Sequence, residues 1–135
     1  MKGQYSVEFL ILFITLTFLA TVILYINFIR GIQFGELKKN FDAQRLSNAV
    51  ENEISIAIEQ GDGYQRIFLL PTTTSADYDT TIYEDGSVGI SWKTGNYIRK
   101  LPTKNITNGD SNNFQISTGL NKISNKNGII FITEV

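Results

Sequence analysis

Residues 9–29 run for 21 positions without an Asp, Glu, Lys, Arg or His. As a helix they would be about 31 Å long at the usual rise per residue, which matches a bilayer hydrocarbon core of about 30 Å. A secretory signal peptide has a shorter apolar core, roughly 7–15 residues, that ends at a small-residue cleavage site. Here the run continues past Ala20 as TVILYINFI, so the pattern predicts a spanning helix that is retained. Thr15, Thr17 and Thr21 are tolerable in it because their hydroxyls can bond back to helix carbonyls. Asn27 falls near the far end, where an amide can reach the headgroups. Lys2 on one side competes with Arg30, Lys38 and Lys39 on the other, so the distribution of positive charge leaves the orientation open.

Beyond Arg30 the texture becomes amphipathic. In GELKKNFDAQRLSNAVENEISIAIEQG, Leu37 and Phe41 are four apart, and Leu46, Val50, Ile54 and Ile58 follow at steps of four. That spacing predicts one apolar stripe along a helix whose other face carries Lys38, Asp42, Arg45, Glu51 and Glu53. Gly31 and Gly35 lie at the join. They mark either a weak or bent turn, at about 1 kcal/mol each relative to Ala, or close helix packing through Gly-x-x-x-Gly. The QGDG stretch at residues 60–63 ends the helix, with Gly61 as a left-handed cap.

From Tyr64 onward the period changes to two. YQRIFLLP, YDTTIYEDGSVGISW, NYIRKLP, NFQIS and GIIFITEV are rich in β-branched and aromatic residues, and Asp85-Gly86, Thr94-Gly95 and Asn127-Gly128 punctuate them as turns. Short connections favour antiparallel hairpins. The expectation is an α+β chain: a long N-terminal helix, transmembrane then amphipathic, packed on a small C-terminal antiparallel β-sheet head of five or six short strands. One face of the sheet would meet the amphipathic helix and the other would meet water or a second layer. Trp92, Tyr83 and Tyr97 fit its core or rim, while PTKNITNGDSNN reads as a long polar loop.

Composition narrows the chemistry. Among the 135 residues there is no cysteine and no histidine, which removes thiolate chemistry, disulfides, the commonest transition-metal ligand and the commonest general base near neutral pH. Twelve basic and thirteen acidic residues are scattered, with a net charge of -1, and no basic patch points to nucleic acid. Neither a phosphate-binding glycine loop nor a catalytic arrangement of Ser and carboxylates is present. No cofactor is expected. Asp77, Asp79, Glu84 and Asp85 could offer oxygen ligands to calcium, but without the spacing of a calcium loop they read as a solvated acidic rim.

Glu8 is the sharpest feature, because an acidic side chain at the head of a spanning segment is costly when deep and is usually paired. The plainer explanation is a glutamate resting among headgroups. Its neighbours suggest another. KGQYSVEFLIL is similar to the processing signal of archaeal type IV pilin precursors: a basic and a small residue before the cut, then Gln-x-Ser-x-Glu-x-x-x-Leu. Lys2, Gly3, Gln4, Ser6, Glu8 and Leu12 occupy every specified position. The match covers about a dozen residues, and its leader of three residues is short. LLP, KLPT and NKISNKNGIIFI are reminiscent of small heads in that family.

The resemblance implies a leader at residues 1–3, a helix at 4–60 with 4–30 as membrane span and later filament core and 31–60 amphipathic, and a β head at 61–135. A membrane prepilin peptidase would cut between Gly3 and Gln4 on the cytoplasmic side. The new amine of Gln4 in one subunit would then meet the Glu8 carboxylate of another, offsetting a charge that costs several kcal/mol when buried alone. Implied partners are copies of itself or sister pilins, the peptidase, an assembly ATPase, a membrane platform protein and, before assembly, the lipid bilayer. The implied activity is structural and not enzymatic: a single-pass membrane precursor that becomes an extracellular adhesion filament, as a major or as a minor, initiating subunit. The alternative is a signal-anchored, non-polymerising extracellular binding domain. Asn105-Ile106-Thr107 is the one Asn-x-Ser/Thr sequon, so Asn105 is a candidate N-glycosylation site on an extracellular head.

Overall fold

The computed structural model describes residues 2–73 and 75–135, with the backbone alone for residues 2–5. A single helix, α1 (Lys2–Gln60), is followed by eight strands: β1 (Gln65–Leu70), β2 (Asp79–Tyr83), β3 (Ser87–Trp92), β4 (Gly95–Lys100), β5 (Ile106–Thr107), β6 (Phe114–Ile116), β7 (Gly119–Lys126) and β8 (Ile129–Glu134). Contacts divide the chain into two units, residues 1–37 and 38–135.

In the first unit, every large apolar side chain between residues 7 and 29 is exposed. Among the described residues this is the one helix long and apolar enough to cross a membrane. Its three threonines turn back on the backbone as expected, and Asn27, expected to reach outward, turns back too. The hydroxyls of Thr15, Thr17 and Thr21 donate to the carbonyls of Ile11, Phe13 and Thr17, each at 2.8 Å, so they present little polarity to an apolar medium. Asn27 does the same, its Nδ2 donating to the Ile23 carbonyl at 2.9 Å. The helix runs without a break through Gly31 and Gly35, and a Cβ added at either glycine would meet nothing within 4 Å.

In the second unit the strands form two four-stranded sheets, ordered β1-β7-β8-β5 and β4-β3-β2-β6. The strands number eight, not five or six, and the second layer allowed for opposite the helix is a second sheet; one pairing, β5 with β8, is parallel. The two strands outside the expected set have physical reasons for being hard to see. β7 sits between β1 and β8 in the first sheet, yet two of its inward positions, Asn121 and Asn125, are amides. Apolar alternation is consequently absent along GLNKISNK. β5 is two residues within the polar loop, held where the Ile130 amide donates to the Asn105 carbonyl at 2.9 Å.

The three predicted turns are present. Asn127 and Gly128 both have positive φ, 53° and 80°, between the paired Lys126 and Ile129, which is the two-residue turn that Asn-Gly favours. Gly86 (φ 75°) closes the three-residue β2-β3 loop, its amide donating to the Tyr83 carbonyl at 3.0 Å. Lys93 and Thr94 link Trp92 to Gly95. Gly61 ends the helix with φ 78°, its amide reaching the Ile58 carbonyl at 3.2 Å, as a left-handed cap does.

One core joins helix and sheets. The helix contributes Ala43, Leu46, Val50, Ile54 and Ala57; the first sheet adds Phe68, Leu70, Ile123, Ile130 and Ile132; the second adds Ile82, Val88, Ile90, Trp92, Phe114 and Ile116. Each large side chain so buried stabilises the fold by about 1.5–3 kcal/mol. The expected stripe is thus half right: Leu46, Val50 and Ile54 are buried, whereas Leu37, Phe41 and Ile58 are exposed. Ala43 and Ala57, which lie outside that run, are enclosed in their stead. Trp92 is buried, Tyr97 packs partly against the core and Tyr83 lies at the rim.

Candidate functional site

The helix periodicity that buries nothing in residues 6–29 also decides what surrounds Glu8. Positions 8, 11, 12, 15 and 16 share one face at helical spacing. Glu8, Ile11, Leu12, Thr15 and Leu16 together line an open recess of about 350 Å³. Thr15 contributes little polarity because its hydroxyl is engaged by the Ile11 carbonyl. A carboxylate is therefore set at one end of an otherwise apolar recess, on a helix whose next acidic residue is Glu36. Of the motif positions, Ser6, Glu8 and Leu12 are exposed on α1, with Leu12 one turn beyond Glu8. Lys2, Gly3 and Gln4 lie on helical backbone; their side chains, and Met1 entirely, lie outside the described residues.

Chemically, such an arrangement can pair one cationic group: a charge or strong donor brought to this face would meet Glu8, and water would be excluded only once a second apolar surface covered Ile11, Leu12 and Leu16. An apolar enclosure strengthens that pairing, and leaving either partner alone there is strongly unfavourable.

On the head, Asn105 is exposed immediately before β5. Its backbone amide donates to Thr103 Oγ1 at 3.1 Å, and its carbonyl accepts from the Ile130 amide. Thr107, the sequon threonine, is occupied structurally: its hydroxyl donates to the Ser111 carbonyl at 2.8 Å and accepts from the Gly109 amide at 3.1 Å. The side chain of Asn105 is accessible while the backbone around it is pinned.

The four acidic residues of the rim are not brought together around a common point. Asp85 pairs with Lys100, Nζ to Oδ2 at 2.7 Å, and accepts from the Ser87 hydroxyl. The Lys100 hydrogen bond, followed by that of Ser87, holds the Asp85 carboxyl below the usual aspartate value. Asp77 and Asp79 line a cavity of about 550 Å³ with Lys39, Ser75, Ser91 and Lys93. Among the described residues no three His, Cys, Asp or Glu side chains could hold a metal ion together.

Two features of the head escaped the sequence. Asn125 ties the helix end to the β7-β8 hairpin, and no periodic signal marks it. The second is the outward side of the first sheet, where Ile67, Leu69 and Leu120 stand exposed. RIFLL is apolar at both strand parities, a pattern that could have signalled a strand covered on both faces. No protein-family model, curated protein or solved structure matches the chain.

Proposed function

We propose that this chain is the precursor of a structural subunit of an extracellular type IV pilus-like filament, processed by a prepilin peptidase and polymerised through α1. The observation that carries the proposal is the Glu8 recess at the head of a helical stretch, residues 9–29, that is exposed and uncharged on every side. Such a surface needs an apolar medium all round: lipid before assembly, neighbouring helices afterwards. A lone carboxylate at its start calls for a cationic partner, and cleavage before Gln4 would create one as the new terminal amine. Removal of Lys2 would at the same time release the helix from the cytoplasmic headgroups. The match of Lys2, Gly3, Gln4, Ser6, Glu8 and Leu12 to the archaeal pilin processing signal supports the same reading. The role is structural and not enzymatic, and Asn105 is proposed as an N-glycan acceptor on the exported head.

The second reading is a signal-anchored extracellular binding domain, which the same membrane-length helix supports without requiring cleavage or the recess. Intact mass and amino-terminal sequencing of the protein from membranes and from shed filaments separates them. A chain beginning at Gln4, with Glu8→Ala cleaved but failing to assemble, is the expected result. A chain that still begins at Met1 or Lys2 would leave a tethered β domain.

A further inference from the structure

The exposed apolar residues of the head are distributed unevenly. On the first sheet the register pairs Leu69 with Leu120 and Ile67 with Lys122 across β1 and β7, while Thr133 continues the second row on β8. These residues all point away from the core. Leu69 is 63% exposed, Leu120 55% and Ile67 55%. Ile129 and Phe131 extend the same side, with the Lys126 ammonium 5.5 Å from the centre of the Phe131 ring. The corresponding side of the second sheet is mostly polar, with Asp79, Ser91, Asn96 and Lys100 at outward positions, Tyr83 lying over Gly89, and Ile98 as its one strongly exposed aliphatic residue.

We propose that the outer face of the β1-β7-β8 sheet, centred on Leu69 and Leu120, is a contact surface for a second copy of this chain within the filament. This inference rests on the polymer reading given above. Charge selects the kind of contact. The outward positions of these three strands carry Lys122 and Lys126 and no carboxylate. Two such faces set against each other would oppose like charges, so the face meets a different, carboxylate-bearing surface of its neighbour. A contact between unlike surfaces does not close on itself as a two-fold dimer, and it propagates into a filament wherever its rotation does not close a ring. Size points the same way. Three strands about 4.8 Å apart, each some 20 Å long, present about 300 Å², well below the roughly 800 Å² per partner of a stable free complex. The face is too small to associate isolated heads and is sufficient where helix packing already holds copies side by side.

Because the chain has no cysteine, single-cysteine variants report the face directly. Leu69→Cys, Leu120→Cys and, in the exposed polar loop, Asn112→Cys are labelled with a maleimide in detergent-dispersed full-length protein and in assembled filaments, with Trp92 fluorescence confirming the fold. The expected result is at least a tenfold fall in labelling rate at positions 69 and 120 on assembly, with position 112 unchanged. Filaments in which 69 and 120 label as fast as in dispersed protein, or in which all three positions slow equally, would overturn the inference and leave the filament reading intact. Protection at 69 and 120 already present in membranes of the non-assembling Glu8→Ala protein would overturn it in favour of a lipid surface. Wild-type protein that forms no filaments at all would overturn both.

Discussion

Asn125 Nδ2 donates to the carbonyl of Ala57 at 2.9 Å, a bond between β7 and the last turn of α1 that spans 68 residues of sequence. The same side chain accepts from the Gly128 amide at 3.1 Å, while its backbone is paired with Gly63 and Tyr64. One buried amide thus satisfies an orphan carbonyl of the helix terminus and holds the β7-β8 turn. Asn125→Ala leaves both partners unpaired and is expected to lower unfolding free energy by about 1–3 kcal/mol. Asn125→Asp should cost more, since it loses the donor and places a negative charge at the negative end of the helix dipole. Urea unfolding of the full chain in detergent, followed through Trp92, measures both; an unchanged midpoint for Asn125→Ala would refute the role.

Gly95 and Gly89 both lie against aromatic rings, but the rings differ in freedom. A Cβ at Gly95 would stand 2.7 Å from the Trp92 ring, and one at Gly89 would stand 2.5 Å from the Tyr83 ring. Trp92 is buried and Tyr83 is exposed at the rim. Tyr83 can swing outward, whereas Trp92 is confined by the core and by its edge-on contact with Tyr78 at 5.8 Å. Gly95→Ala is expected to cost about 1–3 kcal/mol, as overpacking does, and to shift the emission of the sole tryptophan. Gly89→Ala should do neither to the same degree, and equal losses would contradict this account.

Leu46 and Phe41 separate the buried face of the helix from its exposed one. Leu46 is 1% exposed and Phe41 65%. Leu46→Ala should remove about 2–5 kcal/mol through lost burial and the cavity left behind. Phe41→Ala should change the stability of the dispersed protein by no more than about 0.5 kcal/mol. Chemical denaturation of the two variants side by side checks the ranking, and a larger loss at Phe41 would reverse it.

Asp85 gives the head a small acid dependence. Its folded carboxyl titrates below the ordinary aspartate value because Lys100, then Ser87, stabilise the charged form. A depressed folded value means that the contribution is fully present above the unfolded value, near pH 4, and disappears as pH falls through the folded one. Carboxyl chemical shifts followed from pH 2 to 5 should place the Asp85 midpoint below 3.8, and Lys100→Ala should move it upward. Because the group is exposed, added salt should weaken the effect. A midpoint insensitive to Lys100→Ala would exclude the assigned cause.

The parts that were legible from residues alone are those whose signal is local. A 21-residue uncharged run, helical steps of three and four, and the glycine-bearing turns at 61, 86 and 128 each follow from the immediate backbone and side-chain geometry. Leu12 can be placed on the Glu8 face by the same arithmetic, because five residues of one helix need no tertiary contact to share a recess.

Tertiary structure decided what burial depends on. The apolar stripe predicted from Leu37 to Ile58 contains residues of one chemical kind, yet only those facing the strands are covered; Phe41 and Ile58 are left in the open while Ala43 and Ala57 are enclosed. β7 is a strand because β1 and β8 flank it and because Asn121 and Asn125 find carbonyls inside the fold, conditions that no window of sequence contains. The sequence by itself determined where helix ends and strand begins, through short-range periodicity and turn chemistry. Only the packed fold determined which side of each element is interior, because an amide or an isoleucine is stable on either side according to what lies opposite it.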